Sequence, residues 1–165
     1  MLEKFIIGVI VQNHSGVLTR VTSLFSRRGY NIDSLVVAET DNPQYSRMTI
    51  VATGNESVKN QIVKQLDKLQ DVVTVDVIPH EDAAVREHML IKIKVASDSN
   101  TDITNMINDF GSKVIDFGTE SVTVEVTGDA KTNDRFIDAA RTFGIMEICR
   151  AGAQALNRGS HVLGK

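Results

Sequence analysis

Apolar positions recur with two periods along this chain, and the periods alternate in an order that repeats. Phe5-Ile6-Ile7-Gly8-Val9-Ile10-Val11 is a short β-branched run of the kind that forms a largely buried strand. After a polar turn, Leu18, Val21, Leu24 and Phe25 fall at helical spacing, with Arg27 and Arg28 in the last turn and Gly29 behind them. That is an amphipathic helix with favourable charge at its C-terminus and a glycine stop. Ile32 to Glu39 predicts a second strand and Asp41-Asn42-Pro43 a turn. Met48, Ile50 and Ala52 alternate with Arg47, Thr49 and Val51 as a third strand. Asn55 is placed to cap a helix carrying Val58, Ile62, Leu66 and Leu69 on one face, and Val72 to Ile78 predicts a fourth strand that Pro79 ends.

The same order then starts again. Met89 to Val95 predicts a strand; Ile103, Met106, Ile107 and Phe110 a helix closed by Gly111; Val114 to Phe117 and Ser121 to Thr127 two strands; Phe136, Ile137, Ala140 and Phe143 a helix closed by Gly144; Ile145 to Cys149 a last strand. The expected fold is therefore α+β: two ferredoxin-like βαββαβ units in tandem, each near the lower limit of domain size. The first is expected over residues 1–79 and the second over 87–165, with 80–86, charged and without periodicity, as a linker, and with a small, Gly-rich tail to Lys165. A sheet with helices on one face leaves the other face needing a cover, which self-association or a partner would supply.

Composition narrows the chemistry. The 165 residues are 42% hydrophobic and 24% charged, an ordinary globular mixture, with a net charge of −3. A phosphate-tracking surface is usually basic, so nucleic acid is a poor partner. The split βαβ order is shared by RNA-binding modules, but the strand Ser46-Arg47-Met48-Thr49-Ile50-Val51 has none of the aromatics on which bases stack. One cysteine, Cys149, supplies neither an internal disulfide nor an iron–sulfur cluster and is expected as a buried, reduced thiol. The seven-residue run at Phe5 is too short to span a membrane, and no signal peptide is expected. The histidines His14, His80, His88 and His161 are scattered, and Asp67, Asp71 and Asp76 are expected as solvated carboxylates. Neither a catalytic nor a metal-ligand constellation is expected.

One segment carries candidate chemistry: Gln12-Asn13-His14-Ser15-Gly16-Val17-Leu18, between the first strand and the first helix. Free N–H groups at a helix start suit a carboxylate or phosphate oxygen, and Gly16 permits close approach to the backbone. Asn13 offers a donor and an acceptor on one side chain. The plainer reading is a helix capped by Ser15 or Asn13 that binds nothing. His14 is expected to be exposed and non-essential. Asn31 lies at the far end of the helix, so in a βαβ unit it reaches the Asn13 turn of a partner chain more easily than its own.

The stretches Asn13-His14-Ser15-Gly16-Val17-Leu18-Thr19-Arg20-Val21 and Leu24 to Leu35 closely resemble the N-terminus of the regulatory small subunits of acetolactate synthase. Ser46 to Ile50, Lys64 to Leu69, Glu87 to Lys92 and Arg150 to Gly159 resemble further landmarks of that family, so that the resemblance covers essentially the whole chain. It implies that the first unit is an ACT domain and that the chain has no active site. It implies a homodimer formed through the ACT domains, which bind a branched-chain amino acid, usually valine, between them. This chain is expected to be cytoplasmic and to hold no cofactor; its implied partner is the catalytic large subunit, to which thiamine diphosphate, Mg²⁺ and FAD belong. Carried over by position, the effector-binding residues are Asn13, Ser15, Gly16, Val17, Leu18 and Thr19, with Asn31 and Ile32 from the partner chain. An ACT-domain sensor serving a different biosynthetic enzyme is the alternative.

Overall fold

The computed structural model describes residues 2–96 and 99–163. Within them the chain forms two compact units: residues 2–85 with 153–163, and residues 86–96 with 99–152. The tail residues Gly164 and Lys165, which close the expected second domain, lie outside the described residues, as does Met1 at the start of the first.

In the first unit, β1 (Glu3–Gln12), α1 (Val17–Arg27), β2 (Ile32–Glu39), β3 (Tyr45–Gly54), α2 (Glu56–Leu66) and β4 (Val72–Ile78) follow the expected order. The strands lie β2-β3-β1-β4, and every pairing is antiparallel. Alternation places Phe5, Ile7, Val9 and Val11 of β1 and Met48, Ile50 and Ala52 of β3 on one face. There they pack against Val17, Val21, Leu24 and Phe25 of α1 and Ile62 and Leu66 of α2, all buried. Helix α1 stops as the sequence implies: Gly29 takes φ +68°, and the Tyr30 N–H reaches back to Phe25 O at 3.0 Å.

The second unit repeats the arrangement with β5 (Ala83–Lys94), α3 (Asn100–Asp109), β6 (Lys113–Phe117), β7 (Ser121–Gly128), α4 (Ala130–Ala140) and β8 (Ile145–Arg150), in the sheet order β6-β7-β5-β8. Its core is Met89, Ile91 and Ile93 with Val122, Val124 and Val126, closed by Ile103, Phe136 and Ala140.

Three expectations are corrected. Residues 80–86 are not an irregular linker: His80–Asp82 is one turn of 3₁₀ helix, and Ala83 already begins β5, because Ala83 and Val85 find apolar partners in the first unit. The tail does not extend the second unit. Gln154–Asn157 forms a short strand, β9, and residues 153–163 belong to the first unit. β9 pairs with β5, whose residues up to Val85 lie in this same unit. Ala153 and Ala155 pack on Ile6, Val51 and Ile78, which point away from the helices. Arg47 Nη2 donates to Ala155 O at 2.7 Å, Ala153 N–H donates to Ser34 Oγ at 3.0 Å, and Leu163 lies within 3.2 Å of where a Cβ at Gly8 would stand. The chain's own tail is thus a cover for the outer face of the first sheet. Finally, Cys149 is exposed rather than buried. Its register opposite Leu90 puts it on the face away from the helices, on an edge strand.

Both units share a device the periodicity hides. Gly54 and Gly128 each end the third strand of their unit, directly before the helix caps Asn55 and Asp129. A Cβ on Gly54 would stand 2.9 Å from Val58 Cβ, and one on Gly128 would stand 2.9 Å from Thr132 Cβ. Neither neighbour can swing away, because both are branched at Cβ on a helix. Gly54→Ala is expected to destabilise the first unit by about 1–3 kcal/mol, read by urea denaturation, and Val58→Ala in the same chain to recover part of that loss. The caps also carry a pH signature. Hydrogen bonds from Thr132, side chain first and backbone second, hold the exposed Asp129 carboxyl below its ordinary value. A depressed folded-state value stabilises above the ordinary carboxylate range and is lost as the pH falls through it. Acidification should therefore weaken α4, and Asp129→Asn should remove that pH dependence, as followed by amide exchange in α4.

Candidate functional site

The turn after β1 leaves the sheet between two anchors. Gln12 N–H donates to Asp71 O at 2.9 Å, and Asn13 N–H donates to Gln44 O at 2.8 Å. The Asn13 side chain makes three hydrogen bonds to the β2–β3 hairpin. Its Nδ2 donates to Glu39 Oε2 at 3.0 Å and to Pro43 O at 2.9 Å, while its Oδ1 accepts from Ser46 Oγ at 3.0 Å. Both Asn13 donors are thus committed within the chain, and a ligand reaching this amide has to use the remaining lone pair on Oδ1 or displace a partner.

The expected side-chain cap of the helix start is not found. Neither Ser15 nor Asn13 caps α1. The N-cap is Gly16, in the left-handed region at φ +87°, and no side chain caps the helix. Arg20 N–H closes the first turn on Gly16 O at 3.0 Å, and Val17 N–H reaches His14 O only at 3.5 Å. The amides of Leu18 and Thr19 receive no side-chain cap, and the first turn carries no acidic residue. By contrast α2 begins with the Asn55 cap and Glu56 in its first turn. Of the residues carried over, Ser15, Gly16, Leu18 and Thr19 are exposed, whereas Val17 is buried in the core and presents only its backbone.

One expectation about a neighbour is corrected. Asp71 is not a solvated carboxylate: its side chain is 13% exposed, with Oδ2 2.6 Å from Arg20 Nε and Oδ1 3.0 Å from His14 Nε2. His14, although exposed, is correspondingly held rather than free, its Nδ1 lying 3.1 Å from Ser15 O. The pairing of Arg20 with Asp71 at this turn was not expected from the sequence. The signal for Asp71 lies in the topology: it directly precedes β4, and β4 lies beside β1, so the residue before one strand meets the turn after the other.

Asn31 and Ile32 stand far from this turn. Asn31 Nδ2 donates to Asp33 Oδ1 at 2.9 Å, and Thr53 Oγ1 donates to Asp33 Oδ2 at 2.6 Å. Ile32 pairs with Ala52 and packs at the core's edge. Glu39, which holds Asn13, pairs with Ser46 at the other end of β2. Seven residues of strand separate the two ends, roughly 23 Å at about 3.3 Å per residue. Asn13 and Asn31 of one chain therefore do not meet.

A cleft of about 660 Å³ lies at the opposite end of β1, lined by Phe5, Gly54, Asn55, Lys59 and Pro79. The helix start there is already capped by Asn55, so its amides are less available to an anion than those of α1. Among the described residues, no group of three or more His, Cys, Asp or Glu could hold a metal ion, and no helix is long and apolar enough to cross a membrane.

Residues 7–74 match the family model described as an AHAS small subunit-like ACT domain, and residues 86–159 match that of the small subunit of acetolactate synthase. The chain is 40% identical over 159 residues to the acetolactate synthase isozyme 3 small subunit of Escherichia coli, covering 96% of this chain and 98% of that one. It is 39% identical over 158 residues to the acetolactate synthase small subunit of Mycolicibacterium smegmatis, covering 96% and 93%. The fold superposes on the crystal structure of the acetolactate synthase small subunit from Thermotoga maritima with a TM-score of 0.91 at 34% identity, covering 96% of this chain and 99% of that one.

Proposed function

This chain belongs to the family of acetolactate synthase small subunits, regulatory subunits that carry an ACT domain, and from that premise we propose that it activates a catalytic large subunit and makes it responsive to a branched-chain amino acid, valine first. The observation that carries the reading is the start of α1, where a left-handed glycine stands in place of a side-chain cap. An amino acid carboxylate placed there accepts the free amides at the positive end of the helix dipole. Thiamine diphosphate, Mg²⁺ and FAD belong to the large subunit in this reading.

The site is shared between two chains. β2 is an edge strand with one row of unpaired backbone groups. Antiparallel pairing of two β2 strands about a two-fold axis sets the Ile32 end of one beside the Glu39 end of the other. Because Glu39 holds Asn13, Asn31 of one chain then stands near the partner's Asn13 turn, closing a distance that neither chain closes alone. Leu18, 44% exposed on α1, and Ile32 of the partner receive the apolar side chain. A pocket of this kind separates valine from alanine by about 1–3 kcal/mol. Feedback asks for a comparable coupling of about 1–3 kcal/mol between effector binding and the state of the holoenzyme.

The test is to mix the chain with a large subunit and titrate valine, leucine and isoleucine while following acetolactate formation. Activation, then inhibition by one of the three at lower concentration than the others, is expected. Absence of activation would overturn the reading; activation without any inhibition would reduce the chain to an activator.

A further inference from the structure

We propose that Arg20 and Asp71 are specificity and positioning residues of the effector turn, Asp71 holding the Arg20 guanidinium so that it reads the carboxylate of the bound amino acid. The inference rests on the reading of the Gly16 turn as the effector site.

Arg20 lies one helical turn after Gly16, and its Nη2 is 4.0 Å from where a Cβ at Gly16 would stand; apart from the chain neighbours of Gly16, it is the one atom within that distance among the described residues. The guanidinium therefore borders the same space that the uncapped helix start faces. Its Nε is bound to Asp71 Oδ2 at 2.6 Å. A guanidinium is planar, with five N–H donors in a fixed fork, so docking Nε fixes the plane and leaves the four Nη donors for another acceptor. A carboxylate is the acceptor whose geometry matches that fork.

Asp71 is built to hold it. Its carbonyl accepts from Gln12 N–H at the end of β1, and its two carboxylate oxygens hold His14 and Arg20. One residue from the α2–β4 connection thus fixes the end of the strand, the turn and the first turn of α1 against each other. None of these contacts reaches an amide of the α1 helix start, which stays without a side-chain cap.

Helix stability does not account for the arrangement. A cation in the first turn opposes the helix dipole, and half-exposed ion pairs contribute little. The local solution to a free helix start is an acidic residue in its first turn, which α2 has in Glu56 and α3 in Asp102. In α1 the acid comes instead from a distant segment, and it carries a cation to the rim of the site.

The test compares two ligands on the full-length chain by calorimetry: L-valine, and L-valinamide, which has the same side chain without the carboxylate. In the unaltered chain valine binds more tightly. Arg20→Gln is expected to weaken valine about tenfold or more, the loss of a charge-assisted contact, while changing valinamide little, so that the ratio of the two affinities collapses. Arg20→Lys should recover only part of that ratio, because a point charge lacks the fork. Asp71→Asn should reduce the ratio less, and Arg20→Gln with Asp71→Asn should be no worse than Arg20→Gln alone, because both act through one contact. Equal weakening toward both ligands, or an unchanged ratio, would overturn the proposal, since a merely structural role scales both affinities together. Gly16→Asp separates the two levels. If it leaves valine binding intact, or if the unaltered chain binds no valine, the effector-site reading fails and takes this one with it. If it abolishes binding while Arg20→Gln keeps the full ratio, only the role of Arg20 and Asp71 falls.

Discussion

Replacing Gly16 by aspartate is expected to raise the valine concentration for half-inhibition of the reconstituted holoenzyme by about a hundredfold or more, corresponding to about 3 kcal/mol. Two effects add. Gly16 has φ +87°, and an L-residue held in the left-handed region costs about 1–2 kcal/mol. The added carboxylate also occupies the space beside the helix start, where it repels the effector's carboxylate by several kcal/mol at surface-like dielectric, of the order of 4 kcal/mol at 4 Å. The Arg20 fork, which borders this space, is satisfied internally in the variant. Steric collision contributes nothing, since a Cβ here meets only Arg20 Nη2 at 4.0 Å. The fold should therefore survive, and a melting curve together with activation of the large subunit in the same assay separates loss of the site from loss of the subunit. Gly16→Ala isolates the backbone term and should shift the response by only about tenfold. Full valine sensitivity in Gly16→Asp would remove the turn from the effector site.

The second large effect is a recovery. Asn31→Ala alone and Gly16→Asp alone are each expected to give subunits that respond poorly to valine. A shared site makes them complementary. In a heterodimer of the two variants, one interfacial site carries both lesions, while the other combines an unaltered Gly16 turn with an unaltered Asn31. Random pairing of equal amounts yields about half heterodimers, so about a quarter of all sites are native. The mixture, assembled by co-expression, should regain a high-affinity phase of about that amplitude, which neither variant shows. A site built within one chain predicts no recovery, because every chain then carries its own lesion. The distance along β2 makes the outcome decisive: about 23 Å of strand separates the Glu39 end, where Asn13 is held, from the Ile32 end, where Asn31 begins.

Periodicity was sufficient for the elements because strand and helix repeats are properties of the local backbone. Alternation in β1 and the 3.6-residue spacing in α1 read directly onto the buried lists, and Gly29, Gly111 and Gly144 all take positive φ behind the helices they close. The helix cap at Asn55 was legible for the same reason, its side chain accepting from Val58 N–H three residues on. The cap of α1 was not. Ser15 and Asn13 are both of capping type, and the choice between them and Gly16 was made by where Asn13 is drawn: onto Glu39, Pro43 and Ser46, residues some thirty positions away. Its side chain is withdrawn from the helix by the hairpin.

The same division holds for the rest of the turn on which the function rests. From residues alone came two split βαβ units, a glycine-containing turn facing a helix start, and the separation of Asn31 from that turn, because each follows from local geometry and chain order. Only the tertiary structure showed that Asp71, fifty-five residues after Gly16, closes on His14 and Arg20, that residues 153–163 return to cover Ile6, Val51 and Ile78, and that Cys149 faces outward. Those facts depend on which strands become neighbours and in what register. Burial free energy summed over a whole sheet selects them, and no window of sequence contains that sum.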